Sequence, residues 1–114
     1  MNKIGMNEKC MALIYLLERF AGSVMCDSEE ASKALIIEIT GLLAEVYPAV
    51  MVLYDNPKMA ERADEKVYWL NQLSRINEVL AGEDELAKMD VLYFETRSNL
   101  LEIMDVAAEK GIAL

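Results

Sequence analysis

The feature that most constrains the fold is a helix break at residues 80–84, with the sequence Leu-Ala-Gly-Glu-Asp. Gly82 is of the residue type that most often ends a helix, and Asp84 is of a type that favours the capping position of the next one. Amphipathic segments lie on both sides of the break, at residues 57–81 and 84–110. Because the connection is so short, these segments are predicted to fold back on each other as an antiparallel helical hairpin.

Apolar side chains recur in both hairpin segments at spacings of three and four residues, the pattern of a helix that buries one face. The first predicted buried stripe consists of Ala63, Val67, Leu70, Leu73, Ile76 and Leu80. The second consists of Leu86, Met89, Tyr93, Leu100, Ile103 and Ala107. Stripes this narrow are typical of helices that pack nearly parallel or antiparallel in a bundle.

Two further helices are predicted before the hairpin, the first from residue 7 to an end between residues 22 and 25, and the second over residues 28–54. Pro48 lies inside the second of these, where it removes one backbone hydrogen bond, so we expect a kink or a break there. The 114 residues, 54% of them hydrophobic, are enough to enclose one core. The sequence therefore predicts one all-α domain over residues 1–114. This domain is a four-helix bundle with a C-terminal antiparallel helical hairpin and a second helix kinked at Pro48.

The charge and histidine content argue against several classes of function. With 11 basic and 20 acidic residues the chain has a net charge of −9, which repels nucleic acid and anionic lipid. It contains no histidine, on which many general bases, nucleophile pairs and metal sites depend. Glu38 and Glu45 resemble half of a carboxylate-bridged metal site, but such sites also use histidine. We therefore predict no catalytic residue, no metal and no cofactor, in a protein that is not an enzyme.

The cysteines and the hydropathy bear on location. Cys10 and Cys26 lie near opposite ends of the first predicted helix, about 24 Å apart along its axis, which is too far for a disulfide within the chain. Free thiols and the lack of a signal-peptide pattern predict a cytoplasmic protein. Residues 34–54 approach the length and hydrophobicity of a membrane span, but two carboxylates and Pro48 argue against one, and no membrane partner is predicted.

The second predicted helix is apolar over most of its circumference, which is more than a bundle helix normally buries in a monomer. This surplus apolar surface on the first two helices predicts contact with another chain, either a second copy in a homodimer or the amphipathic helix of a partner. The leading functional prediction is therefore a non-catalytic protein-interaction module of the chaperone or adaptor kind. The predicted partner-binding residues are Met11, Tyr15, Ile36, Leu43, Tyr47, Val50 and Met51.

The polar residues allow other interpretations. Arg97 follows Asp90 by seven residues, about two helical turns, so these two are predicted to form a structural ion pair, with a carboxylate of another helix, such as Glu38 or Glu45, as the alternative partner of Arg97. The alternative function is a small-ligand-binding or catalytic bundle that uses Glu38, Glu45 and Arg97 in an internal cavity. A third interpretation, an acidic mimic of nucleic acid, requires carboxylates clustered on one face, whereas charges alternate in sign along residues 58–66.

A series of short motifs within residues 73–95 resembles a known family. The motifs are an Ile-Asn-x-x-Leu helix end, a Gly-x-Asp break and an Asp-x-Leu-x-aromatic-Glu sequence. In this chain they are Ile76, Asn77, Leu80, Gly82, Asp84, Asp90, Leu92, Phe94 and Glu95, and the pair Gly41 and Leu42 matches as well. The family consists of uncharacterised small helical-bundle proteins of Gram-positive bacteria, which carry tyrosine at the aromatic position. It is loosely similar to FliT-type flagellar export chaperones, so the resemblance implies a bundle fold and a helical segment of a partner protein as ligand.

Overall fold

The structure is a computed structural model, described for residues 5–113. In that part of the chain it contains helices and turns but no β-strand, which confirms the predicted all-α class. The elements in chain order are α1 (Met6–Met25), α2 (Glu29–Leu53), a 3-10 helix (Pro57–Arg62), α3 (Glu65–Ala81), α4 (Glu85–Met89), a π-helix (Asp90–Thr96) and α5 (Arg97–Glu109).

The bundle has four arms, which are α1, α2, α3 and the C-terminal arm formed by α4, the π-helix and α5. α1 packs lengthwise against α2 and also contacts every part of the C-terminal arm. α3 packs against α4 and the π-helix. α2 and α3 follow one another in the sequence, yet in the described part of the chain their backbones do not pack closely together. One of the four sides of the bundle is therefore open.

A single cluster of buried apolar side chains joins all four arms. On α1, Leu13, Leu17 and Phe20 recur at spacings of four and three and are fully buried, which explains the central position of this helix. Burial of side chains of this size stabilises the fold by about 1.5–3 kcal/mol each. The largest enclosed side chains are Phe20, Leu13, Leu17, Ile39, Met59, Ile76, Leu92 and Leu100.

The chain between α2 and α3 is not part of one long α-helix, so the predicted helix over residues 57–81 is too long. Asn56 caps the segment, because its Oδ1 accepts a 2.9 Å hydrogen bond from the backbone N–H of Lys58. The 3-10 helix that follows places Met59 fully inside the core, and α3 begins only at Glu65. The 3-10 geometry, with about three residues per turn, is typical of short connecting segments like this one.

The C-terminal arm contains a seven-residue π-helix that the sequence pattern did not predict. The hydroxyl of the buried Thr96 donates a 2.8 Å hydrogen bond to the carbonyl of Val91, five residues earlier, which is the spacing of a π-helical turn. The wider turn changes the register of the buried stripe. Val91 is buried, whereas Leu86, which was predicted to be buried, is exposed. The stripe is therefore predicted correctly after the π-helix, at Leu100, and wrongly before it at Leu86, while Met89 is half-buried against the core.

The break that organises the hairpin lies where it was predicted, since α3 ends at Ala81 and α4 begins at Glu85. Asp84 caps α4, because its Oδ1 accepts a 3.1 Å hydrogen bond from the backbone N–H of Ala87. Gly82 has φ −92° and ψ −176°, an extended conformation that any residue can adopt. The turn therefore depends on the aspartate cap and does not use the left-handed conformation for which glycine is favoured.

α2 continues as one helix through Pro48, so a break at this position is excluded. By length and composition alone α2 could cross a membrane, a test that core helices of soluble proteins also pass. Only 33% of its most apolar 18-residue window is buried inside the bundle. Much of the apolar surface of α2 therefore faces outwards.

Candidate interaction groove

On the open side of the bundle, α2 and α3 form the walls of an apolar groove of about 320 Å³. The residues that line this groove, called the α2–α3 groove below, are Thr40, Leu43, Ala44, Tyr47, Pro48 and Met51 of α2 and Leu73, Ile76, Asn77 and Leu80 of α3. None of these described residues is charged at neutral pH, although 27% of the residues in the chain are charged. Concave, mostly apolar sites of this size are typical binding sites.

Aromatic side chains hold the two walls apart at one end of the groove. Tyr47 of α2 packs edge-on against Trp69 of α3, with ring centroids 5.5 Å apart and planes at 69°. The Trp69 Nε1–H donates a 2.9 Å hydrogen bond to the Tyr54 hydroxyl, which donates one of 3.0 Å to Glu65 Oε1. Ala44 lies about one helical turn before Tyr47 in the α2 wall. Its side chain is too small to fill the space between α2 and α3 that the two aromatic rings maintain.

The apolar stripe predicted for the core side of α3 forms much of the groove wall. Leu73, Ile76 and Leu80 line the groove, and Leu70 is exposed beside it. The core side of α3 carries the buried Trp69 together with Ile76, the one stripe residue that is fully enclosed among those that line the groove. The prediction that the whole stripe is buried is therefore wrong, because α2 does not approach α3 closely enough to cover it.

An exposed apolar side chain precedes the lining residues on each wall of the groove. Ile37 lies three residues before Thr40 and seven before Ala44, so it shares their face of α2, and it is 74% exposed. Leu70 lies three residues before Leu73 on α3 and is 49% exposed. Ile37 and Leu70 are called the groove flanks below. The uncharged surface is therefore wider than the groove itself.

Two polar groups in the groove wall lack their usual hydrogen bonds. The Tyr47 hydroxyl is enclosed and has no partner among the described residues. Burial raises the pKa of this phenol, and Tyr68 adds to the effect. Pro48 has no N–H, so the Ala44 carbonyl lacks its usual donor four residues later. Because an enclosed hydroxyl without a partner costs about 1–3 kcal/mol, this wall is not optimised for stability.

The structure divides the predicted partner-binding residues among different environments. Met11 and Tyr15 are exposed on α1, and Ile36 is half-buried on α2. Val50 is completely enclosed in the core, so its assignment as a partner contact was wrong. Leu43, Tyr47 and Met51 line the α2–α3 groove, but only Met51 is half-buried, whereas Leu43 and Tyr47 are 5% and 3% exposed. An open apolar groove thus lies between α2 and α3, and exposed apolar side chains also stand on the first two helices, as the sequence predicted, at Met11, Tyr15, Ile37 and Val52.

Arg97 forms its ion pair with Glu18 of α1 and not with Asp90. Its Nη2 lies 2.8 Å from Glu18 Oε2, and its guanidinium carbon lies 5.5 Å from the centre of the Tyr93 ring. Among residues 5–113, no ion pair joins Arg97 to Asp90. The π-helix explains the error, because seven residues make two turns only in a regular α-helix.

The residues named for the alternative function do not converge. Glu45 pairs with Lys9 at 3.1 Å, Glu38 is exposed, and Arg97 is held by Glu18. The described residues contain no group of three or more acidic or cysteine side chains arranged to hold a metal ion. The internal cavity of Glu38, Glu45 and Arg97 that the alternative requires is therefore not formed.

The two cysteines are free thiols in different surroundings, as the sequence predicted. Cys10 is buried in the core, and its burial raises the pKa of the thiol, which disfavours the reactive thiolate. Cys26 is exposed in the turn between α1 and α2. Neither residue lines the α2–α3 groove.

A larger recess of about 520 Å³ lies where the turn between α1 and α2 meets the turn between α3 and α4. The hydroxyls of Ser23 and Ser32 lie 2.7 Å apart within it, and charges of both signs, such as Glu83 and Lys33, line its edge. This mixture is typical of a solvated surface. The α2–α3 groove, which is apolar and uncharged, is therefore the better candidate for a functional site.

The described residues define a class of protein, a small acidic all-α bundle with an open apolar groove between α2 and α3. Comparisons of the chain with protein-family models, curated proteins and solved structures found no match. The similarity of residues 73–95 to small bacterial bundle proteins therefore stays a prediction.

Proposed function

We propose that this protein is a non-catalytic interaction module, of the chaperone or adaptor kind, that binds a polypeptide in the α2–α3 groove. The observation that supports the proposal is the uncharged, apolar lining of a groove on the open side of the bundle. Soluble monomers rarely leave large contiguous apolar surfaces uncovered, and surfaces of this kind commonly bind other proteins.

The groove has the chemistry that an amphipathic helix or a second bundle face requires. Leu73 and Leu80 are half-buried and lie seven residues, about two helical turns, apart along one wall, so they can pack against apolar residues with the same spacing. Met51 in the other wall has a flexible, polarisable side chain that adapts to different contact shapes. Such a surface recognises apolar side chains by packing and needs no charged anchor.

Site-specific photo-crosslinking tests the proposal. A photoreactive amino acid replaces Ala44 in the groove of the full chain, and the same amino acid replaces Ala12 on α1 in a matched control. Both alanines are exposed and lie within helices, and only Ala44 lines the groove. After irradiation in cells, we expect a covalent adduct with a polypeptide at position 44 and none, or much less, at position 12.

Equal adducts at the two positions, or none at either, would contradict the proposal. Light scattering and a hydrophobic dye give an independent check on the purified chain. A strictly monomeric protein that also fails to bind the dye has no available apolar groove, and this result would contradict the proposal as well.

A further inference from the structure

We propose that a second copy of this chain binds at the α2–α3 groove, in a two-fold symmetric dimer. In this dimer the groove and the groove flanks of one copy contact the same surface of the other copy. This inference rests on the proposed function, because it assumes that the groove binds a polypeptide. It goes further by naming the partner, the symmetry and the contact residues.

The shape of this surface supports a symmetric contact. A two-fold dimer uses the same patch on both subunits, so the patch must contain both projecting and receiving parts. The α2–α3 groove is concave, and the exposed flanks Ile37 and Leu70 project beside it. In a two-fold arrangement the flanks of each chain can pack into the groove of the other, whereas a single helix in the groove leaves the flanks uncovered.

The charge distribution also favours a second copy over a basic partner. Each chain carries a net charge of −9, so two copies repel each other wherever charged surfaces meet. The groove lining and both flanks are uncharged, so two copies can come into contact at this surface without opposing carboxylates. A basic helix would find no acidic residue in the groove lining to pair with.

The area of the surface indicates how strong the dimer is. The segment from Ile37 to Met51 is about 21 Å long at about 1.5 Å per residue, and two neighbouring helices are about 20 Å wide. Multiplying this length by this width gives about 400 Å² of projected surface per chain. Interfaces of this size are usually weak and reversible. We therefore expect a dissociation constant in the micromolar range.

Sedimentation of the purified full chain tests the inference. Over about 1–200 µM protein we expect the mass to rise from 12.8 kDa towards twice that value. Raising NaCl from about 0.05 to 0.5 M screens the repulsion between the two acidic chains, so we expect the dissociation constant to fall at least about threefold. A complex between this acidic chain and a basic partner would weaken over the same range.

Ala44→Glu and Ala12→Glu form a matched pair of variants. Ala44→Glu places one carboxylate from each chain in the proposed contact, and we expect dimerisation to weaken by at least about tenfold. Ala12→Glu adds the same charge on α1, and we expect it to behave as the wild type. Circular dichroism checks that both variants keep the helical content of the wild type, as expected for exposed helical positions.

The outcomes separate this inference from the proposed function. A monomer at every concentration and salt, equal effects of the two variants, or a dimer weakened by salt would each overturn the second-copy inference. If the wild type is monomeric while the crosslinker at position 44 still captures a different polypeptide, the inference fails and the proposed function stands. If both the dimer and the crosslink are absent, both fail.

Discussion

Trp69 and Tyr54 join α3 to the end of α2 through a 2.9 Å hydrogen bond from the indole N–H to the phenol oxygen. Both side chains are buried, and the phenol in turn donates to Glu65 Oε1. The bond lies beside the packed rings of Tyr47 and Trp69 that set the spacing of the two helices. This aromatic contact therefore supports the end of the groove where the rings of Tyr47 and Trp69 bridge its two walls.

Removal of the Tyr54 hydroxyl should destabilise the protein. Tyr54→Phe leaves the buried indole N–H of Trp69 without its acceptor, which costs about 1–3 kcal/mol of unfolding free energy. Urea denaturation followed by the fluorescence of Trp69, the single tryptophan, measures the change. An unchanged midpoint and slope would show that water replaces the phenol oxygen and that the bond does not support the fold.

Tyr47→Phe is the matched comparison and should have the opposite effect. The Tyr47 hydroxyl is enclosed without a hydrogen-bond partner among the described residues. Its removal therefore relieves the free-energy cost of burying an unpaired polar group and breaks no hydrogen bond. We expect the unfolding free energy to rise by about 1 kcal/mol. A loss as large as that of Tyr54→Phe would mean that this hydroxyl has a partner, such as an ordered water.

The same two tyrosines should make the protein sensitive to alkali. Burial raises the pKa of Tyr47 and of Tyr54 above 10.0, and the hydrogen bond from Tyr54 to Glu65 adds to the second shift. Below pH 10 both phenols keep their protons in the folded and unfolded states alike. Above pH 10 the unfolded chain loses these protons first, so the unfolding free energy falls by up to about 1.4 kcal/mol per pH unit for each phenol.

Urea midpoints measured from about pH 8 to 12 isolate the contribution of Tyr47. The stability of Tyr47→Phe should fall less steeply above pH 10 than that of the wild type, and the two curves should run parallel below pH 9. Identical slopes above pH 10 would contradict the raised pKa of Tyr47.

Arg97 should couple energetically to Glu18 and not to Asp90. The Arg97–Glu18 pair is partly exposed, with side chains 30% and 42% accessible, so solvent screening limits its contribution to about 0.5 kcal/mol. A double-mutant cycle with Arg97→Gln and Glu18→Gln should give this coupling, and one with Arg97→Gln and Asp90→Asn should give about zero. A larger coupling to Asp90 would restore the pairing inferred from the sequence and contradict the structure.

Features that depend on near neighbours in the chain were predictable from the sequence. The four arms follow from apolar side chains at spacings of three and four, and the caps of Asn56 and Asp84 follow from their residue types beside each helix start. Each of these features involves residues at most four positions apart. The sequence therefore predicted the helical class and the site of the hairpin turn correctly.

Features that depend on distant residues were not predictable in the same way. The hydrogen bond between Thr96 and the Val91 carbonyl is one of several that a buried threonine can make, so the π-helix leaves no distinct pattern in the sequence. The partner of Arg97 lies 79 residues away on α1. Helical spacing identified an edge of the last helix, but it could not show which carboxylate meets Arg97 there.

The sequence by itself determined that this chain forms helices with more apolar surface than one bundle buries, because hydrophobic spacing and content are properties of the chain alone. Only the tertiary structure decided where the surplus lies. The packing of Tyr47 against Trp69 sets the spacing of α2 and α3, and Ala44 is too small to fill the gap beside the rings. Leu73 and Leu80 of α3, which look like core residues in the sequence, therefore become half-buried walls of an open groove.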